Sequence, residues 1–498
     1  MIRRVLIANR GEIACRVIRT CRRMGIGTVA VYSDVDAGAP HVAMADTAAP
    51  IGPAPALESY LNIKRVIEAA RKSGADAIHP GYGFLSENPD FAEACAAAGL
   101  TFVGPPSGVM RRMGSKTGAR AVVAKAGVPV VPGSTPRAQT DEALAAAVRD
   151  VGLPALIKAA AGGGGKGMRT VRTQAEVPEA VAAARREAER AFANGALYVE
   201  RLIERPRHIE VQILADADGH VVHFFERDCS LQRRHQKVVE ESPAPHLTPA
   251  VRERLTAAAL AAARAVRYVN AGTVEFLLEG EGDTATFYFL EMNTRLQVEH
   301  PVTEAVTGLD LVELQLRVAG REPLPIAQPD VTSTGHAIEC RVYAEDSRRL
   351  LPQAGRILHY REPAGDGIRV DAGVRAGTEV PVHYDPLLAK VIAHAPARSD
   401  ALASMRRAIA EYEILGVRHN LAFLRALLNT SDVSDGRTFT RLIEDRLATF
   451  TPAPGERATR AAVAVAAWLA AAEPAPIAGP DQAGAGVDPW DRLGSIAW

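Results

Sequence analysis

Neither sign of charge prevails in this chain of 498 residues: 58 lysines and arginines stand against 58 aspartates and glutamates. A dedicated nucleic-acid binder carries a basic surplus, and the balance excludes one. Cysteine is scarce. Cys15, Cys21, Cys95, Cys229 and Cys340 are odd in number and lack metal-ligand spacing, which excludes a disulfide framework and fits reduced thiols in the cytoplasm. Long hydrophobic runs are missing too. The longest, Ala461–Ala472, falls short of the roughly 20 residues that a membrane span requires. The N-terminus turns polar again at Asn9-Arg10, too soon for a signal peptide.

The chain is too long for one ordinary core, so roughly two to four domains are expected. Strands and helices alternate at the start: a strand over Arg4–Ala8, a helix over Glu12–Met24 ended by Gly25, a strand over Thr28–Tyr32, a helix over Ile63–Lys72 and a strand over Ala75–His79. That order predicts a parallel sheet with helices on its faces. Asn9-Arg10-Gly11-Glu12 stands where such a sheet can bind a nucleotide, but the three-glycine dinucleotide fingerprint is absent. The glycine-rich stretch from His79 to Asn88 follows the third strand, at the edge where ligands sit. From Thr451 onward alanine, proline and glycine dominate, as in a linker or the opening of a further module.

Function is most legible in Leu290-Glu291-Met292-Asn293-Thr294-Arg295-Leu296-Gln297-Val298-Glu299-His300-Pro301. Read as a strand, it sends Glu291, Asn293, Arg295, Gln297 and Glu299 to one side and Leu290, Met292, Leu296 and Val298 to the other. A row of acid, amide, guanidinium, amide and acid has no packing use, yet can hold a cation at one end and an anion at the other. Two apolar runs flank Gly280-Glu281-Gly282-Asp283 and predict a hairpin that brings Glu275 opposite Glu291. Paired carboxylates repel unless a cation lies between them, and hard divalent ions prefer oxygen.

A second signal runs from Leu153 to Arg169. An apolar strand delivers Lys158, and Gly162 to Gly165, Lys166 and Gly167 then allow backbone N–H groups to fold over a phosphate. No Gly-Lys-Ser/Thr helix start follows, which excludes a Walker loop. Leu197–Ile203 reads as a strand, with Glu200 and the backbone of Arg201–Ile203 placed for an adenine edge. His208, Glu210 and Gln212 share one face of an alternating strand, although a lone strand histidine is more often structural. The donor-rich run from Arg227 to Lys237, including Gln232 and His235, would by itself be a solvated face; beside a phosphate loop and a carboxylate pair it reads as anion-binding. In His336–Glu345 the alternation leaves Glu339, Arg341 and Tyr343 facing a cleft.

With these segments assembled, the chain from Met1 to about Phe450 resembles the biotin carboxylase family of the ATP-grasp superfamily. The resemblance is carried by Ile7-Ala-Asn-Arg-Gly-Glu-Ile-Ala14, His79–Asn88, the glycine loop, Glu226–Ser230 through Lys237–Glu241, and the 290–301 motif. Val380–Lys390 and Asp488-Pro-Trp-Asp-Arg-Leu493 look like the α-chains of acyl-CoA carboxylases. The resemblance implies an α/β and α+β fold: a Rossmann-like N-terminal domain (1–114), an ATP-grasp body (115–330) with a glycine-rich lid at about 130–203, and a C-terminal α+β domain (331–446). Residues 447–498 would be a tail or an incomplete linking domain. It also implies the first half-reaction of an acyl-CoA carboxylase, in which ATP activates bicarbonate as carboxyphosphate and biotin is carboxylated.

Roles implied by the resemblance follow residue by residue. Lys116, Lys158, Gly163, Gly164, Gly165, Lys166, His208, Gln232 and His235 would bind ATP, with Glu200, Arg201 and Ile203 around the adenine. Glu275 and Glu291, with Asn293 beside them, would hold Mg²⁺ or Mn²⁺. Lys237, Arg295, Gln297 and Val298 would hold bicarbonate, Glu299 would be the general base, and Arg341 and Tyr82 would meet biotin. Lys166 and Arg201 stand where other members exchange arginine and lysine. No Ala-Met-Lys-Met segment occurs, so biotin is expected on a separate carrier protein or domain, with an acyl-CoA carboxyltransferase as further partner and a homodimer as the assembly. A different ATP-grasp carboxylate–amine ligase and a silent scaffold subunit are the competing readings.

Overall fold

The computed structural model describes residues 2–160, 167–347, 349–446 and 450. Its first sheet is parallel, in the spatial order Thr47–Gly52, Gly27–Ser33, Arg4–Ile7, Ala77–His79, Thr101–Phe102. The central strand carries Val5, Leu6 and Ile7 with no exposed surface, because helices cover both faces. The helix Gly11–Arg23 has Glu12 in its first turn and Arg22 and Arg23 in its last, the arrangement its dipole favours. Ile63–Lys72 begins where the side chain of Asn62 accepts a hydrogen bond from Arg65 N at 3.1 Å.

The body is an antiparallel sheet of eight strands, in the order Thr286–Asn293, Asn270–Glu279, Arg207–Ala215, Val221–Arg233, Gln236–Ser242, His336–Tyr343, Leu387–Ala395, Ile368–Ala372. It runs across residue 330 without a break, since Val239 pairs with Cys340 and Glu240 with Glu339. Alternation gives the sheet two different faces. Val274, Phe276 and Leu278 lie with Ile209, Val211 and Ile213 against the helix Pro249–Ala265, and Phe276 meets Phe287 and Phe289 edge to face. The opposite face carries His208, Glu210, Gln212 and Glu275.

A separate four-stranded sheet (Gly133–Ser134, Leu197–Arg201, Ala155–Ala159, Arg169–Val171) packs with the helices Asp141–Val151 and Val177–Phe192. It joins the body where Phe289 N donates to Pro129 O at 2.7 Å. Residues 161–166 of the glycine loop, and the tail beyond Phe450, lie outside the described residues. Among the described residues no helix is long and apolar enough to cross a membrane.

Candidate active site

The functional motif is not one unbroken strand. The strand Thr286–Asn293 stops at Asn293, residues 294–299 form an irregular link, and the helix His300–Thr307 begins directly after Glu299. Pro301 in the first helical turn favours that start, because a proline there forfeits no helix hydrogen bond. The polar residues still converge, through a guanidinium rather than through pleating. Arg295 donates from Nη2 to Asn293 Oδ1 (2.7 Å), from Nη1 to Gln297 Oε1 (2.8 Å) and from Nε to Glu87 Oε2 (2.9 Å). The hairpin register does set Glu275 opposite Glu291, but a bulge follows: Phe276 already faces Phe289. The extra residue, Leu290, lines the cleft instead of joining the apolar face.

Strand pairing then extends the row. Glu291 faces Glu275, Glu275 faces Glu210, and Glu210 faces Arg227, so three carboxylates and a guanidinium cross four strands at one level. Like charges directly opposite destabilise a sheet unless cations intervene. Lys237 is the cation. Its Nζ donates to Glu210 Oε2 (2.5 Å), Glu275 Oε1 (2.9 Å) and Glu299 Oε1 (2.5 Å). Arg227, wholly buried, closes the far end by donating to Glu210 Oε1 at 2.6 Å. Arg341 lies on the other side of Glu299, donating from Nη2 to Glu299 Oε2 (2.9 Å) and from Nε to Glu240 Oε1 (2.5 Å).

These contacts decide which acids are ionised. Burial alone would raise the Glu299 carboxyl, but Lys237, Arg341 and Arg227 hold it well below the usual carboxylate range. Burial acts on Glu275 in the same direction and is likewise outweighed, by Lys237 and His208, whose Nε2 lies 3.1 Å from Glu275 Oε2. Glu291 is the exception. Burial and then the facing Glu275 raise its carboxyl, and among the described residues it makes no hydrogen bond or ion pair.

Two cavities meet at this network. One, of about 430 Å³, is lined by Lys116, Lys158, His208, Gln232, His235 and Lys237, and along its floor by Glu275, Glu291, Asn293 and Gln297. The second, of about 330 Å³, lies between Tyr82, Glu12, Tyr343, Tyr384 and Asp385. Arg295, Val298, Arg341 and Gln236 line both and form the wall between them. Glu299 is fully buried and lines neither; it lies between Lys237 and Arg341. Tyr82 donates from its hydroxyl to Glu12, and its loop is held where Asn9 Nδ2 donates to Pro80 O (2.8 Å) and Tyr82 O (2.7 Å). Gly81, at φ +63°, leaves no room there for a side chain, since a Cβ would come within 2.9 Å of Asn9 Nδ2.

Other positions fall away from the first cavity. Glu200 accepts from Lys158 Nζ at 2.8 Å and from Arg120 at 2.5 Å, so it holds the lysine rather than facing the cleft. Arg201 turns to Glu279 (2.7 Å) and Tyr288, and Ile203 is buried. Gly163, Gly164, Gly165 and Lys166 lie outside the described residues. Glu339 does not face a cleft with Arg341 and Tyr343: it is fully buried and lines neither cavity, paired between Glu240 on one flanking strand and Ile392 on the other. Glu87, Glu210, Arg227 and Glu240 carry no individual role in the sequence, although Arg227 opens the donor-rich run, Glu87 lies in the glycine-rich stretch and Glu210 stands between His208 and Gln212. Their contacts are with partners distant in sequence.

A small lid sheet beside a cleft of lysines and paired carboxylates on an antiparallel sheet defines an ATP-grasp protein. Residues 1–110 match the family described as biotin carboxylase, N-terminal domain; residues 115–327 match the carbamoyl-phosphate synthase L chain, ATP binding domain; and residues 339–445 match the biotin carboxylase C-terminal domain. The mitochondrial methylcrotonoyl-CoA carboxylase subunit alpha of Rattus norvegicus is 51% identical over 444 residues, covering 89% of this chain and 62% of that protein. The biotin carboxylase of Halalkalibacterium halodurans is 49% identical, with 90% of this chain and 98% of the relative covered. Among solved structures, the biotin carboxylase domain dimer of Hydrogenobacter thermophilus 2-oxoglutarate carboxylase, crystallised with MgADP, ADP and bicarbonate, superposes with a TM-score of 0.87 at 45% identity, covering 91% of this chain and 99% of that one. The chain belongs to the biotin carboxylase family. It spans about 62% of the length of the methylcrotonoyl-CoA carboxylase relative.

Proposed function

We propose that the chain is an ATP-dependent biotin carboxylase, a ligase that activates bicarbonate with ATP and carboxylates biotin presented by a carrier protein or domain. The observation that carries this reading is Glu299, ionised between Lys237 and Arg341 at the wall between two cavities. One cavity has the lysines of a triphosphate site, and the other opens on the far side of Arg341.

In this reading Lys116, Lys158, His208, Gln232 and His235 bind the nucleotide, with Gly163 to Lys166 covering its phosphates and Glu200 setting the position of Lys158. Glu275 and Glu291 fit a divalent ion: they face each other, and Glu291 makes no ion pair among the described residues, Lys116 acting on it only from a distance. Mg²⁺ or Mn²⁺ held there would neutralise charge on the transferred phosphoryl group. Asn293, whose Oδ1 accepts from Arg295, lines the cavity beside the two carboxylates and would support the ion there.

Bicarbonate is held by Lys237, Arg295, Gln297 and the backbone at Val298. An anion among these cations weakens the field on Glu299, which moves its carboxyl back up toward a useful base. Glu299 takes the bicarbonate proton while the bicarbonate oxygen attacks the γ-phosphorus, giving carboxyphosphate and ADP. Closure of the lid keeps water from this short-lived species. Carboxyphosphate breaks at its C–O bond into carbon dioxide and phosphate; the phosphate takes the ureido N–H proton of biotin as that nitrogen bonds to the carbon dioxide. Arg341 stabilises the enolate-like ureido oxygen, with Tyr82 across the cavity.

The likeness to methylcrotonoyl-CoA carboxylase α subunits supports an acyl-CoA carboxyltransferase as the downstream partner, and the dimeric Hydrogenobacter domain supports a homodimer. Five buried cysteines, none bridged, support a reducing, cytoplasmic setting. The test is ADP release with biotin as acceptor. It should require bicarbonate and rise with biotin, and equal turnover without bicarbonate would refute the assignment. Arg341→Ala should raise the biotin KM roughly 10- to 100-fold, the scale of one or two charge-assisted hydrogen bonds. Bicarbonate-dependent ATP cleavage measured without biotin should fall by less than this factor; an equal fall would place Arg341 on the nucleotide side instead.

A further inference from the structure

Behind Arg341 stands a pair of acids that the reaction above does not use. Glu240 and Glu339 are directly opposite on adjacent antiparallel strands, so their side chains leave the sheet on the same face. Both are fully buried. Glu240 Oε1 accepts from Arg341 Nε at 2.5 Å, whereas Glu240 Oε2 and both oxygens of Glu339 have no hydrogen-bond partner among the described residues. The nearby cations are committed elsewhere. Lys390, beside Arg341 on the next strand, donates to Val298 O at 2.7 Å and lies 3.3 Å from Glu12 Oε1. Lys237 is shared by three other carboxylates. The remaining groups that face the pair are Glu299 from the start of the 300–307 helix, Cys229 from the neighbouring strand and Tyr343 from the strand of Glu339. None of them is a cation.

Two opposed carboxylates in a dry sheet cannot both stay ionised on the strength of one shared arginine. We propose that Glu339 is a positioning residue kept as a neutral carboxylic acid. Its proton leaves Glu240 as the lone anion behind Arg341 and so fixes the guanidinium between Glu240 and Glu299 at the wall of the second cavity. The effect on biotin rests on the function proposed above; the neutral state of Glu339 does not. Burial supports it, pushing the Glu339 carboxyl well above the ordinary range, while Lys390 pulls the other way and Glu240 adds to the rise. Burial raises the Glu240 carboxyl too, to about 7, but its hydrogen bond to Arg341 makes it the more acidic of the two.

The test is infrared spectroscopy of the full chain in neutral buffer, joined to kinetics. One component of the protonated-carboxyl band of the unaltered protein should be lost in Glu339→Gln and kept in Glu240→Gln. It stands over any signal from Glu12 and Glu291, whose carboxyls are also raised and which both variants keep. Glu339→Gln keeps a neutral group of the same shape, so its biotin KM should stay within about twofold. Glu240→Gln should raise the biotin KM roughly tenfold, the cost of one charge-assisted hydrogen bond. Bicarbonate-dependent ATP cleavage without biotin should not change in Glu339→Gln. If no carboxyl band is lost in Glu339→Gln, or if its biotin KM rises tenfold, the proposal fails. Should Glu240→Gln not fold, the spectra of the unaltered chain and Glu339→Gln decide alone. The spectra need no substrate, so a protein that did not use biotin would refute the proposed function and leave this result standing.

Discussion

Glu299→Gln should abolish bicarbonate-dependent ADP release, lowering kcat by roughly 10²- to 10⁴-fold, the range for a lost general base. The amide keeps the shape of the carboxyl and can still accept from Lys237 or Arg341, so little of the framework should change. What disappears is the negative charge and the ability to take a proton. In the native site that charge is secured by Lys237 and Arg341, each within hydrogen-bond reach of a different oxygen. Nucleotide affinity should hold within a few-fold, because Glu299 does not line the lysine-rich cavity. Steady-state ADP release and nucleotide titration on the same sample give the check. A variant that retained native turnover would remove Glu299 from the reaction.

Lys237→Met should be the more damaging change to the protein itself. Its ammonium is the common partner of Glu210, Glu275 and Glu299, and the side chain is only 12% exposed. Removing one member of a buried ionic cluster costs on the order of 3–5 kcal/mol, because the other charges are left uncompensated. The direction with pH follows from the shifts. Glu275 and Glu299 are depressed in the native chain, so their contribution is present above the ordinary carboxylate range and is lost as pH falls through their lower folded values. Without Lys237 burial dominates and raises them, so the variant loses stability as pH rises through the new values. The Tm gap between native and variant should therefore widen from mildly acidic to neutral pH in calorimetry. A gap that stays constant across that span would show that Lys237 contributes packing rather than charge.

Local chemistry was legible before any fold was known. The Glu275 and Glu291 hairpin was readable because a glycine turn and two apolar runs set a register, and pairing in the folded sheet follows that register. Alternation of polar and apolar residues predicts that the strand continues to Glu299. The chain abandons the sheet after Asn293 instead, since Arg295 satisfies its neighbours and Pro301 starts a helix. Periodicity shows where side chains would point if the backbone stayed extended, not whether it does.

By itself the sequence showed a glycine-rich loop, a carboxylate pair and an arginine-bearing strand, each in one short stretch of chain, and the resemblance they carry implied the reaction. Tertiary structure decided the charge states. Glu210 and Glu275 are neighbours because two strands pair across 64 intervening positions, and Arg227, Lys237 and Arg341 reach Glu210, Glu275 and Glu299 from three further strands. A carboxyl's ionisation depends on burial and on charges a few ångströms away in space, and neither is written in the local order of residues.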